Sequence, residues 1–187
     1  MYRLSFDPRL TDQWFIDTPV DQSRDEWAFW RLLSGSPLEA TDHLPWRSKV
    51  KQAGQRLSFS FAGFDVPVVT EEVASALGSI LGDQSQFPQL HIVGENSPYR
   101  ILVATRTVRC VDEPNSQFTK WSLADGRPDK CGEYRMVTRL RLDPALVPAD
   151  AKIFRVWGWK QALVVTETVA GVLRSYVHAG LVYEPVV

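Results

Sequence analysis

The chain has 187 residues, a formal net charge of −1, 44% hydrophobic residues and seven tryptophans. A chain of this length buries enough surface to fold without a disulfide or metal staple, and its near-neutral charge argues against nucleic-acid binding through a basic field. Cys110 and Cys131 stand alone without a CxxC, and no apolar run approaches a membrane span, so a reducing, cytoplasmic location is expected.

The N-terminus, MYRLSFDPRLTDQW, lacks the basic-then-apolar order of a secretory leader. Tyr2 to Phe6 reads as a short strand stopped at Asp7-Pro8, and Thr11 to Val20 as a turn-rich connection. Asp21 to Ser34 reads as a helix, with acids in its first turn where the macrodipole favours them and Gly35 as its stop. Its apolar set (Trp27, Phe29, Trp30, Leu32 and Leu33) is wide. Core packing is the usual fate of such a stripe; left exposed, it would mark a partner surface. Residues 1–45 carry eight acids (Asp7, Asp12, Asp17, Asp21, Asp25, Glu26, Glu39, Asp42) against four arginines (Arg3, Arg9, Arg24, Arg31), a net of −4.

Ser36 to Pro45 is irregular, which sets an N-terminal strand and helix segment, 1–50, against an α+β body, 51–187. The first segment can also pack as part of the same domain. Leu57 to Phe61 and Val66 to Val69 read as strands joined by a turn at Ala62-Gly63. A helix follows, capped by Thr70, with Glu71 and Glu72 in its first turn and Val73, Ala74, Leu77, Ile80 and Leu81 on its buried face. Gly82 falls where a C-cap is expected.

This unit has an echo 96 residues later. Val68-Val69-Thr70-Glu71 matches Val164-Val165-Thr166-Glu167, and Val169, Ala170, Leu173, Tyr176 and Val177 repeat the buried face, with Gly180 closing it. Strands are expected after each helix, at Gln89 to Val93 and Leu181 to Val187. Pro98 to Val111 reads as one long strand with a bulge, and Asn115 to Cys131 as loop. Tyr134 to Leu142 reads as a strand with arginines 135, 139 and 141 on one face. The expected fold class is therefore α+β: a mixed or mainly antiparallel sheet with two similar strand–helix–strand units and an N-terminal helical segment.

Reactive groups do not assemble into a motif. His43, His91 and His178 lack metal-ligand spacing, and His178 has a simpler account in the last turn of a helix. No GxSxG, GxGxxG or GxxxxGK[ST] occurs. Asp112-Glu113 before Pro114 reads as a solvated strand exit rather than a pair for acid–base work. Four acids (Asp125, Asp129, Glu133, Asp143) near the arginine-faced strand favour a salt-bridged face over a phosphate site. No metal or cofactor is expected.

Ile153 to Val187, IFRVWGWKQALVVTETVAGVLRSYVHAGLVYEPVV, resembles a family of bacterial immunity proteins of polymorphic toxin systems, the class numbered eleven, first filed as a domain of unknown function. Val66–Leu77, Tyr99, Val111-Asp112 and Ser116-Gln117-Phe118 are similar to the family's middle segments, so the likeness spans about residues 57–187. It implies a non-enzymatic protein that binds and neutralises a cognate toxin, encoded by a neighbouring gene, and so protects the producing cell in interbacterial competition. It implies neither a nucleic-acid nor a membrane partner. The acidic residues Asp17, Asp21, Asp25 and Glu26 are one candidate surface, able either to cover a basic nuclease-like site or to form a solvated helix face. Trp121, a lone tryptophan in a polar loop, is the second. An adaptor or chaperone for a secreted effector is the alternative of another class, and an unrecognised hydrolase a more distant one.

Overall fold

The computed structural model describes residues 1–187 apart from Arg24, Glu26, Leu44, Val177 and His178, and for His43 the backbone alone. In chain order the strands are β1 (Tyr2–Phe6), β2 (Phe15–Ile16), β3 (Trp46–Gln52), β4 (Phe59–Ala62) and β5 (Val66–Thr70), followed by helix α1 (Glu71–Leu81). Next come β6 (Ser85–Gln86), β7 (Gln89–Val93), β8 (Tyr99–Ile101), β9 (Val103–Ala104), β10 (Thr107–Val108), β11 (Gln117–Lys120) and β12 (Tyr134–Arg139). The chain ends with β13 (Ile153–Val156), β14 (Trp159–Val165), helix α2 (Glu167–Arg174) and β15 (Leu181–Pro185).

Two mixed sheets dominate. One runs β10-β13-β14-β1-β15, the other β2-β3-β7-β8-β5-β4, and two-stranded ribbons β11-β12 and β6-β9 complete the set. Among the named strands only β10/β13 and β3/β7 pair in parallel. The first 50 residues supply β1 to the five-stranded sheet, between β14 and β15, and β2 and most of β3 to the six-stranded one.

Three apolar clusters follow from this layering. Trp14, Phe29, Leu32, Leu33 and Trp46 pack on one face of the six-stranded sheet with Val68, Leu90 and Tyr99. Phe59 and Val69 of that sheet meet Leu4, Ile153, Leu163 and Val165 of the other around both helices. The far face of the five-stranded sheet is closed by Tyr134, Val137, Leu140 and Leu142 over Phe154, Val156 and Val164. Strand β5 is buried on both faces, which explains why Val66-Pro67-Val68-Val69 is a continuous apolar run rather than an alternating one.

The expected α+β class gives way to a largely β structure, because only two α-helices form among the described residues, of eleven and eight residues. The N-terminal helix over Asp21–Ser34 does not form. Among its described residues the one helical segment is Ala28–Leu33, a 3-10 turn. The acids read as macrodipole partners instead hold local turns: Asp21 Oδ1 accepts from Ser23 N and Oγ, and Asp25 Oδ1 from Trp27 N at 2.9 Å. Side chains that offer the backbone such alternatives compete with the helix.

The repeated unit is a hairpin followed by a helix in both places, and its strand order is shared further. β4-β5-β8-β7 and β13-β14-β1-β15 are both antiparallel throughout. Phe59 pairs with Val69, but Ile153 pairs with Val165, so the second hairpin is two residues longer and its first strand matches at a shift of 94 rather than 96. Helix α2 ends at Arg174, capped by Ser175, well short of Gly180. Val177, assigned to its buried face, and His178, assigned to its last turn, lie outside the described residues.

Two further segments differ from their reading. Pro98–Val111 is three short strands that enter three different sheets, since β8 pairs β7 and β5, β9 pairs β6, and β10 pairs β13. Asn115–Cys131 contributes β11, and the β11/β12 register shifts twice. These bulges leave Tyr134 and Val137 buried while Met136 is exposed, in place of strict alternation.

Candidate functional site

Three exposed aromatic residues, Trp27, Trp30 and Phe64, gather at one place. A 3-10 turn has three residues per turn, so side chains three apart share an edge. In the Ala28–Leu33 segment Phe29 and Leu32 face inward, while Trp27 and Trp30 stay 64% and 38% exposed. The β4–β5 turn brings Phe64 to the same patch. Its ring lies 4.4 Å from that of Phe29 and nearly parallel to it, and Trp30 stacks on Phe29 from 4.7 Å.

Phe64 is 56% exposed and sits with Asp65 at a φ of 59°. A bulky side chain in the left-handed region is strained, and such strain concentrates where the surrounding structure over-determines a conformation. Gly63 shows part of that constraint: a Cβ there would lie 2.3 Å from Thr18 Oγ1 and 2.9 Å from Thr18 N. The Asp17–Thr18 segment therefore presses directly on the turn that displays Phe64.

Of the acids expected as a partner surface, Asp25 bonds to Trp27 and Asp17 precedes the Thr18 that presses on Gly63. Asp17 lies 3.7 Å from Lys49. The Asp21 carboxyl is held below the usual carboxylate range, first by the Ser23 hydroxyl and then by Arg31. Arg31 also pairs with Asp42 at 2.8 Å, so two carboxylates share one cation. The Asp25 carboxylate accepts from the Trp27 backbone N–H and has no ion pair among the described residues. Glu26, the fourth acid of that set, lies outside the described residues.

Trp121 joins the same surface through cations. Lys130 lies 5.7 Å from its ring and 5.8 Å from that of Trp30, and Arg135 lies 5.0 Å from Trp121. Arg135 is in turn paired with Asp125 at 2.7 Å. An aromatic and cationic strip thus runs Phe64–Phe29–Trp30–Lys130–Trp121–Arg135. Phe64 had no sequence signal beyond a large apolar residue in a tight turn; Trp27 and Trp30 were visible only as part of a wide stripe.

Two clefts open beside the strip. One, of about 560 Å³, is lined among others by Arg3, Ser5, Asp7, Arg9, Gln161 and Glu184. Its neighbour, of about 250 Å³, is lined by Phe6, Trp14, Phe15 and Phe64. Phe6, Phe61 and Asp65 border both. Neither cleft holds a histidine or cysteine. In the larger, Arg9 donates to both oxygens of Asp7 at 2.9 and 2.8 Å, holding that carboxyl down at about 2.

The remaining reactive groups lie elsewhere. Cys110 is buried and its thiol is pushed up to about 12 by desolvation, whereas Cys131 is exposed. Asp112 caps the turn that ends at Asn115, and Glu113 accepts from Lys120 and Tyr134, both at 2.6 Å. Among the described residues no three His, Cys, Asp or Glu side chains gather as a metal-holding group, and no helix is long and apolar enough to cross a membrane.

One buried group escaped sequence reasoning. Arg155 on β13 is fully buried, donates from one terminal nitrogen to Gln161 O at 3.0 Å, and leaves Nε and Nη2 without partners. In the first unit the residue at the same place in the hairpin is Phe61, whose partner Pro67 corresponds to Leu163 opposite Arg155. No family model matches the chain, and no curated protein matches it.

Proposed function

We propose that the chain is an immunity protein that binds and neutralises a cognate bacterial toxin by direct protein–protein contact, using the surface centred on Trp27, Trp30 and Phe64. The observation that carries this reading is that three large aromatic side chains are held exposed around buried Phe29, one of them on strained backbone. Partner interfaces draw most of their affinity from such aromatic anchors, and folding alone gives no reason to display them. The acids on the N-terminal side and the Lys130–Trp121–Arg135 arm supply the charged rim that steers association.

Co-expression with the product of the adjacent gene tests the proposal. The expected outcome is that the neighbour alone arrests growth, that this chain restores it, and that the two purify as a one-to-one complex in which the toxin is inactive. A complex in which the toxin keeps its activity would favour an adaptor or chaperone instead. Failure of both rescue and co-purification would remove the reading.

A further inference from the structure

The tryptophans of this protein are almost all occupied by cations. Six of the seven carry an arginine or lysine 3.5 to 6.0 Å from a ring centroid, from Arg109 over Trp157 to Arg56 near Trp14. Trp27 is the exception among the described residues, and it is also the most exposed large apolar side chain but one. Its one aromatic neighbour among the described residues is Phe29, with ring centroids 6.4 Å apart.

Beside it stands an unused carboxylate. Asp25 Oδ1 accepts from Trp27 N at 2.9 Å, which ties the acid to the residue carrying the indole, and Oδ2 has no partner among the described residues. Two cations of the same surface are committed elsewhere: Arg31 is shared by Asp21 and Asp42, and Lys130 sits over Trp30. An open indole face next to a free carboxylate, in a segment with a net charge of −4 over residues 1–45, is complementary to a guanidinium. Arginine suits it better than lysine, because its planar group stacks on the indole while its N–H fork meets a carboxylate.

We infer that Trp27 and Asp25 form a receptor for an arginine side chain of the protein partner. This rests on the partner-binding reading above and adds the chemistry of what the patch grips. The test has two arms, so that the two ideas fail separately. In the first, ¹⁵N-labelled protein is titrated with hexa-arginine, hexalysine and hexaglutamate peptides, and the tryptophan indole N–H resonances are followed. The Trp27 signal, assigned from its loss in Trp27→Leu, is expected to move most with hexa-arginine, less with hexalysine and not with hexaglutamate. Asp25→Asn should weaken hexa-arginine binding several-fold, and Trp27→Leu roughly tenfold. Movement of other indoles with Trp27 unmoved, or equal binding by Trp27→Leu, overturns the inference.

In the second arm, Kd for the adjacent-gene product is measured with the same variants. Both should keep the wild-type melting temperature, since the two side chains are exposed. Trp27→Leu is expected to weaken binding roughly 10- to 30-fold if the guanidinium is desolvated in the complex. Unchanged affinity would sink the arginine receptor while leaving the immunity reading intact. Absence of any complex would sink the immunity reading, and the peptide arm would still decide the receptor.

Discussion

Replacing Arg155 by methionine should make the protein more stable. The guanidinium is fully buried, makes one hydrogen bond, to Gln161 O, and leaves Nε and Nη2 unsatisfied. Burial pushes its pKa down from the ordinary arginine value to about 10, against a weaker opposing pull from Asp65. A depression of that size is about 3 kcal/mol of penalty on the charged form at neutral pH. Losing the one hydrogen bond returns about 1 kcal/mol, and methionine fills much of the volume left by the arginine stem. The net gain is about 2 kcal/mol, which raises the melting temperature of a chain this long by roughly 4–8 °C. Equilibrium urea unfolding at pH 7, followed by circular dichroism, measures it, with Arg155→Ala as the cavity-forming control. The pH dependence carries a sign that can be checked. Between the folded and unfolded pKa values the unfolded chain binds more protons, so the wild type gains stability as pH rises above about 10. The advantage of the methionine variant is therefore full below pH 10 and shrinks above it. A methionine variant less stable than wild type by about 1 kcal/mol or more at pH 7 would mean instead that the guanidinium is well solvated within the fold.

Three further outcomes follow from local geometry. Gly63→Ala should lose about 1–3 kcal/mol in the same urea assay, because its Cβ meets the backbone nitrogen of Thr18 as well as the hydroxyl; an unchanged midpoint would show that the Asp17–Thr18 segment yields freely. Thr70→Ala should cost about 1 kcal/mol, since Thr70 Oγ1 accepts from Val73 N. Thr166→Ala should cost less, because Thr166 makes no side-chain cap bond; equal losses would contradict the difference between the two helix starts. Native protein treated with a thiol-reactive disulfide reagent at pH 8 should release one equivalent quickly, from exposed Cys131, and the second, from Cys110, only on unfolding. Two fast equivalents would place Cys110 within reach of solvent.

The repeated units were legible because their signals are local and mutually consistent. Thr70 and Thr166, each followed by Glu and an apolar face, start both helices where the pattern puts them. The N-terminal helix failed for a reason that spacing does not carry. Asp21 and Asp25 at helical positions look like macrodipole partners until their side chains are seen capping their own neighbours. Pro98–Val111 failed differently. Its β-forming residues are real strands, but nothing along the chain tells which partner each short piece meets, and three partners in three sheets replace one. Of the candidate residues, Trp121 lies in the aromatic strip and Asp25 bonds to Trp27 beside it, whereas Phe64 reaches it only through a backbone conformation that its side chain disfavours.

That last point bears on where recognition sits. The two hairpin–helix units bury their apolar faces against each other and the sheets, so they present little that a partner needs. The irregular pieces around them do the opposite. The Trp27–Leu33 turn, the Gly63–Asp65 corner and the Trp121 loop come from three separate parts of the chain, yet ring stacking and shared cations join them into one surface. A conformation disfavoured by its own residues survives only where neighbours enforce it, and here Thr18, Phe29 and Trp30 enforce the display of Phe64. If the ring served the fold, Phe64→Gly would cost stability through the lost stacking on Phe29; with strain and an exposed ring both removed, the variant is instead expected to be at least as stable in urea unfolding. The proposed function adds a second requirement, that the same substitution weaken partner binding, so stability and affinity should move apart at this one position.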